Sequence, residues 1–202
     1  IIVVVNCETD FVANNSEFGK FADVIAEAAI NHMPANVDEL KALKFDDSFS
    51  IAEKIIEQTG VIGEKIEISG YEKISADTVF AYNHPGNNVG SLVGLNSTGK
   101  ADIAKDIAMQ IAAMAPIALD KADVPEAVVA KEIEVGKDLA IQEGKPEEMA
   151  EKIAMGRLNK FFKESTLLNQ QFIKDNKMTI QQYLESQEKG LTVTQFKRYS
   201  LS

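Results

Sequence analysis

The segment Gly94-Leu95-Asn96-Ser97-Thr98-Gly99-Lys100-Ala101 comes within one residue of a phosphate-binding loop, and it lies between an apolar run and a helical pattern. Such a loop cradles phosphates with backbone N–H groups and needs a hydroxyl after the lysine to hold Mg²⁺. Ala101 stands in that place, and helical patterns follow where a strand ending in a metal-binding aspartate would be needed. Nucleotide hydrolysis is therefore not expected. Cys7 would act as a nucleophile only beside a base. The chain has 2 histidines, His32 and His84, and neither is near it in sequence. Cys7 reads as a semi-buried structural thiol. The two histidines lack metal-ligand spacing: His32 reads as an exposed helix-end residue and His84 as a solvated residue of a Pro-Gly turn. Asp46-Asp47 and Glu147-Glu148 read as helix N-terminal charges on a solvated face. No enzyme, metal site or cofactor is expected from these residues.

The stretch that remains is Asn6-Cys7-Glu8-Thr9-Asp10-Phe11-Val12-Ala13. It connects an apolar run to a helical pattern, yet it carries Phe11 and Val12 among acids and Asn. Two readings stay open. Phe11 and Val12 fold under the loop and staple it to the following helix, or Asp10 and Phe11 project and the ring enters a partner's pocket. Fully burying such a ring is worth roughly 1.5–3 kcal/mol, so it can anchor an interface.

The elements that must position this loop are legible in outline. Ile1–Val5 is a continuous β-branched run and predicts a buried strand. Phe18, Phe21, Ala22, Ile25, Ala28 and Ala29 recur at helical spacing, with Asn14 and Glu17 as a capping pair and a stop before Pro34. Val37–Leu43 predicts a short helix. Ser50 and Glu53 predict a second capping box, leading Ile51, Ile55 and Ile56 to a stop at Gly60. Ile66-Glu67-Ile68 alternates as a strand does. Thr78–Tyr82 and Val89–Leu95 predict strands joined by the turn His84-Pro85-Gly86-Asn87-Asn88. A helix follows from about Lys100, with Ile103, Ile107, Ile111 and Met114 on one stripe, ending at Pro116.

An antiparallel helical hairpin is predicted next. Asp123 and Pro125 open its first helix, which carries Val129, Ile133 and Ala140 and closes at Gly144. Pro146 opens the return helix with Met149, Ile153, Leu158, Phe161 and Phe162. After a loop, Thr179 and Gln182 cap a short helix ending at Gly190. Leu191–Tyr199 predicts a finishing strand.

A weak internal repeat is also visible. Phe21, Ala22, Ile25, Ala26, Ala29 and Pro34 sit 82 positions before Ile103, Ala104, Ile107, Ala108, Ile111 and Pro116, whereas the preceding strands correspond at an offset of 90. The connection in the first copy is longer by the difference, 8 residues, which fall within Cys7–Glu17. The long loop then reads as an elaboration of a simpler scaffold, where function tends to sit.

Composition sets the outer limits. A chain of 202 residues, 45% hydrophobic and 26% charged, has an ordinary globular balance. Its net charge of -10 argues against binding nucleic acid through a broad basic surface. No apolar run approaches the roughly 20 residues that span a bilayer. A single cysteine excludes an internal disulfide framework and makes a reducing cytoplasm the default. The first residues read as mid-strand, so a preceding segment is expected.

Asn6–Ala13, followed by the Phe-rich helix, resembles the Thr-Asp-Phe-Val signature of the elongation factor Ts family. The resemblance continues through Ile62-Gly63-Glu64, Tyr82-Asn83-His84-Pro85-Gly86 and Asp106–Ala113. It extends to Glu143-Gly144-Lys145-Pro146 and Gly156-Arg157-Leu158, covering essentially the whole chain. It implies an α+β fold: two similar α/β subdomains with small antiparallel sheets and a projecting antiparallel helical hairpin. Residues 1–70 would form the N subdomain. Residues 71–202 would form the C subdomain, with the hairpin inserted at about 125–162. Family members carry an N-terminal helical domain resembling a ubiquitin-associated domain and often a C-terminal extension, which are expected to be missing or reduced here.

The resemblance further implies a cytoplasmic, non-enzymatic guanine-nucleotide exchange factor whose partner is elongation factor Tu, a GTPase. No direct contact with nucleic acid or membrane is implied. Thr9, Asp10, Phe11 and Val12 would meet the partner. Asp10 and Phe11 would press between helices of its G domain, and Ile62 and Gly63 would support the same contact. His84 would face another partner domain. The alternative is a binding or dimerisation fragment that holds elongation factor Tu with little exchange activity. Whether the hairpin stripes pair only with each other, with a second copy or with the partner stays open, so a homodimer or a dimer of heterodimers is among the expectations.

Overall fold

The β-branched run forms strand β1 (Ile2–Asn6) in the computed structural model, which describes residues 1–201. Of its residues only Val4 is fully buried; the others are half-covered. The following stretch is not wholly loop. Asp10–Ala13 wind into a single helical turn, α1, whose N-cap is Thr9. This turn moves the start of the next helix, α2 (Ser16–His32). Its cap is Asn15, whose side chain accepts from the Glu17 amide at 2.8 Å, and not the predicted Asn14. Asn14 instead closes α1, donating its side-chain amide to the Asp10 carbonyl at 2.8 Å. On α2, Phe18, Phe21, Ile25 and Ala29 are buried at the expected spacing, and the helix ends before Pro34 as expected.

Helix α3 (Val37–Ala42) is capped by Asn36. Helix α4 (Ile51–Ile62) opens on the predicted Ser50–Glu53 capping box but runs through Gly60 and stops at Gly63. A glycine inside a helix costs up to about 1 kcal/mol without breaking it. What ends α4 is the left-handed backbone at Gly63, φ 79°. Strand β2 (Glu67–Glu72) pairs antiparallel with β1, from Ile2 opposite Glu72 to Asn6 opposite Glu67, with a bulge between Val4 and Val5. The buried cluster Phe18, Phe21, Ile25, Ala29, Leu40, Ile51, Ile55, Ile66 and Ile68 joins these elements.

Strands β3 (Thr78–Asn83) and β4 (Val89–Leu95) form the predicted hairpin. Its turn closes where the His84 amide donates to the Val89 carbonyl at 2.8 Å. Helix α5 (Ala101–Met114) buries Ala104, Ile107, Ala108, Gln110 and Ile111. The predicted stripe is thus rotated, with Met114 exposed and polar Gln110 inside.

Helices α6 (Glu126–Gln142) and α7 (Glu147–Ser165) form the helical hairpin around Gly144, the return helix running on to Ser165. Their buried residues are Gly136 and Ala140 on one helix and Ala150, Ala154 and Leu158 on the other, so small side chains line the seam. Of the larger apolar residues expected there, Leu158 is buried, whereas Met149 is exposed. The stretch expected as loop after α7 contains a small antiparallel ribbon, β5 (Gln171–Phe172) and β6 (Asp175–Thr179). Gln110 fixes it by donating to the Gln171 carbonyl at 3.0 Å and accepting from the Ile173 amide at 2.9 Å. Helix α8 (Ile180–Gln187) opens on the predicted Thr179–Gln182 box and ends short of Gly190. Strand β7 (Val193–Ser200) joins a three-stranded sheet in the order β3-β4-β7.

The fold is mixed α+β with small antiparallel sheets. The chain forms two compact units. One consists of Ile1–Ser75, Ala81–Leu92 and the segment from Lys197; the other consists of Ala76–Phe80 and Val93–Phe196. The internal repeat reappears in the backbone. Met33 (φ 47°) after α2 and Ala115 (φ 44°) after α5 both end their helices left-handed, a costly state for a residue with a Cβ, and each is followed by proline. Ser202, the last residue of the predicted C subdomain, lies outside the described residues.

Candidate partner-binding site

The one-turn helix α1 separates its two apolar side chains. Val12 packs against the buried cluster of α2, α4 and β2, whereas Phe11 is 85% exposed. The open choice between a tucked and a projecting loop is resolved by division: Val12 staples the turn and Phe11 stands out from it. Thr9 caps the turn with extended backbone (φ -127°, ψ 150°), its hydroxyl accepting from the Val12 amide at 3.4 Å. The Ala13 amide reaches the Thr9 carbonyl at 3.1 Å, and the Asn14 amide reaches that of Asp10 at 3.0 Å. Asp10 is exposed beside the ring.

A second segment meets this turn. Ile62, the last residue of α4, packs against the buried cluster, and Gly63 turns the chain in the left-handed region. Glu64 then reaches back to the loop. Its Oε2 accepts from the amides of Glu8 (3.1 Å) and Thr9 (3.0 Å), and its Oε1 accepts from the Thr9 hydroxyl at 2.6 Å. The structure thus brings Thr9–Val12 together with the Ile62–Glu64 segment. Ile56 and Val61 on α4 are each 73% exposed. Sequence reasoning singled out neither Glu64 nor Val61 as a site residue. No local pattern in the sequence reports Glu64, because its partners lie 55 and 56 residues away.

His84 is exposed and held by its own hairpin, with its Nδ1 2.9 Å from the Tyr82 hydroxyl. It falls in the same compact unit as Thr9–Val12. Cys7 is half-buried and packed against the core cluster, its thiol reaching the Thr9 carbonyl at 3.4 Å. Burial, and then the nearby Glu64 carboxylate, push its pKa up, so the thiol form dominates and a nucleophilic role has no support.

The near phosphate loop has structural duties. Gly94 makes room for its neighbours, since a Cβ there would stand 2.7 Å from that of Ala76. The Lys100 ammonium is paired with Glu188 at 2.5 Å. Among the described residues no cluster of three or more His, Cys, Asp or Glu is arranged to hold a metal ion. No helix of the described residues is long and apolar enough to cross a membrane.

An exposed aromatic ring on a turn braced from behind is the kind of anchor that protein–protein interfaces use. The family model described as elongation factor TS matches residues 8–202 of this chain. The chain is 44% identical over 201 residues to elongation factor Ts of Porphyromonas gingivalis, covering all of this chain and 73% of that relative (100% and 73%). It is 46% identical over 204 residues to elongation factor Ts of Cytophaga hutchinsonii, with the same coverage (100% and 73%). With elongation factor Ts of Amoebophilus asiaticus it shares 47% identity over 200 residues, covering 98% of this chain and 72% of the relative. The chain belongs to the elongation factor Ts family. Its role is that of a translation elongation factor acting in nucleotide exchange.

Proposed function

We propose that the chain binds elongation factor Tu in the cytoplasm and promotes GDP release by pressing Asp10 and Phe11 between helices of the partner's G domain. Phe11 displaces the groups that hold the partner's Mg²⁺ ion and phosphate-binding loop. Thr9 and Val12 hold the ring at that angle, Ile62 and Gly63 support the same contact, and His84 faces another domain of the partner. In this reading residues 1–70 act as the N subdomain carrying the wedge, and 71–202 as the C subdomain. The observation that carries the reading is the 85% exposure of Phe11 beside a core-anchored Val12. A free aromatic ring costs exposed apolar surface, and it regains roughly 1.5–3 kcal/mol when a partner covers it.

No bond needs to be made or broken. A factor that binds nucleotide-free partner more tightly than GDP-bound partner lowers GDP affinity by the same ratio, tenfold for about 1.4 kcal/mol of difference. The test is the rate of GDP release from elongation factor Tu with the chain and with Phe11→Ala. The chain accelerates release, and Phe11→Ala loses most of that acceleration. Equal acceleration by both proteins removes the wedge role. Capture of elongation factor Tu with release at its spontaneous rate shows instead a fragment that binds without exchanging.

A further inference from the structure

We infer that Glu64 is the positioning residue that sets the attitude of the Asp10–Phe11 turn; the consequence for exchange rests on the function proposed above. A helix of one turn pays the full nucleation cost and does not stand alone in water. Helix α1 stands because its leading edge is tied down. Two backbone amides and the Thr9 hydroxyl converge on the Glu64 carboxylate, which accepts all three. With its proton committed to Glu64, the Thr9 oxygen turns its lone pairs to the Val12 amide, which is the cap of α1. One carboxylate thus closes the loop and orients its cap. Ile62-Gly63-Glu64 divides its labour accordingly: Ile62 packs against the core, Gly63 turns the chain at φ 79°, and the Glu64 carboxylate reaches the loop. The segment serves the Phe11 contact from behind, through Thr9.

Two measurements on the full chain test this. Amide hydrogen exchange at Val12, Ala13 and Asn14 is compared among the parent, Glu64→Gln and Glu64→Ala, together with GDP release from elongation factor Tu. Glutamine keeps the shape but can accept at only one of its two ends, so its amides exchange at an intermediate rate. With Glu64→Ala they exchange about tenfold faster, the factor that about 1.4 kcal/mol of lost preference for the docked turn produces. Amides within α4 and β2 keep their parental rates, which a general loss of stability would not allow. Acceleration of GDP release falls in the same order, Glu64→Gln before Glu64→Ala. Parental amide rates at Val12–Asn14 in both variants overturn the inference, whatever the exchange data show. Loosened amides with undiminished GDP release overturn the functional half. Failure of the Phe11 reading appears separately, as full activity of Phe11→Ala. Should Glu64→Ala not fold, Glu64→Gln alone decides the matter.

Discussion

Phe11 and Val12 are adjacent on one helical turn, so their side chains leave it in directions roughly 100° apart. That angle sends Val12 to the core of α2 and α4 and Phe11 to solvent. The two residues should respond oppositely to truncation. Phe11→Ala leaves folding stability within about 0.5 kcal/mol of the parent, as surface substitutions do. Val12→Ala, which removes half-buried methyl groups, costs about 1 kcal/mol. Urea unfolding of the two variants checks this. A loss for Phe11→Ala as large as that for Val12→Ala would mean that the ring packs against its own domain in the free protein. Gly70 is a residue-scale constraint of another kind: a Cβ there would overlap the Tyr199 ring, which lies against the strand. An alternating strand pattern cannot announce such a close approach.

At the scale of elements, the α6–α7 hairpin shows how a seam of small residues fixes helix separation. A Cβ on Gly136 would stand 3.0 Å from Ala154 Cα and 3.1 Å from Ala154 Cβ, both atoms that can move only with the helix. Gly136→Val therefore pries the hairpin open at a cost of about 1–3 kcal/mol. Gly156, on the same return helix, has nothing within 4 Å of an added Cβ and has no positive φ. Gly156→Ala accordingly stabilises the helix by about 0.5–1 kcal/mol. Thermal unfolding of both variants tests the pair, and equal shifts of the same sign would refute the seam. Asp106 gathers other elements. It pairs with Lys174 at 2.5 Å and accepts from the Tyr183 hydroxyl at 3.1 Å, tying α5 to the β5–β6 ribbon and to α8.

For the molecule as a whole, the titrating groups define a stability window. Among the described residues, four carboxyls are held below their ordinary range. The Ser48 and Phe49 amides hold Asp46, the Ser50 amide and hydroxyl hold Glu53, Lys65 holds Glu67, and Lys100 with Ser97 holds Glu188. Each binds protons more readily when the chain is unfolded, so its contribution is present above its ordinary pKa and lost as pH falls. Tyr183 acts in the opposite direction. Burial first, and then the Asp106 charge, raise its phenol from 10.0 to about 12. The native chain then holds a proton that the unfolded chain releases, so this contribution is complete below pH 10.0 and disappears as pH rises to about 12. The urea midpoint is expected to decline below about pH 4.5 and again above pH 10.0, and Tyr183→Phe should make the alkaline decline shallower. An unchanged alkaline slope in that variant would rule out the Tyr183 contribution.

Most of the element order is legible in the sequence, because apolar spacing and capping residues are local signals. The Ser50–Glu53 and Thr179–Gln182 boxes, the β3–β4 hairpin and the helical hairpin all follow from residues a few positions apart. Elsewhere local signals compete. Asn14 and Asn15 are equally good caps until α1 claims the first, and Gly60 and Gly63 are equally good stops until one adopts a left-handed backbone. The β5–β6 ribbon was illegible because a side chain on a distant helix, Gln110, supplies its anchoring hydrogen bonds. At the site, residue types singled out the Asn6–Ala13 stretch and left the direction of its ring undecided. Only the tertiary structure settled that Phe11 faces out while Val12 faces in. The direction depends on where the core lies behind the turn, and on a Glu64 carboxylate delivered from 55 residues away.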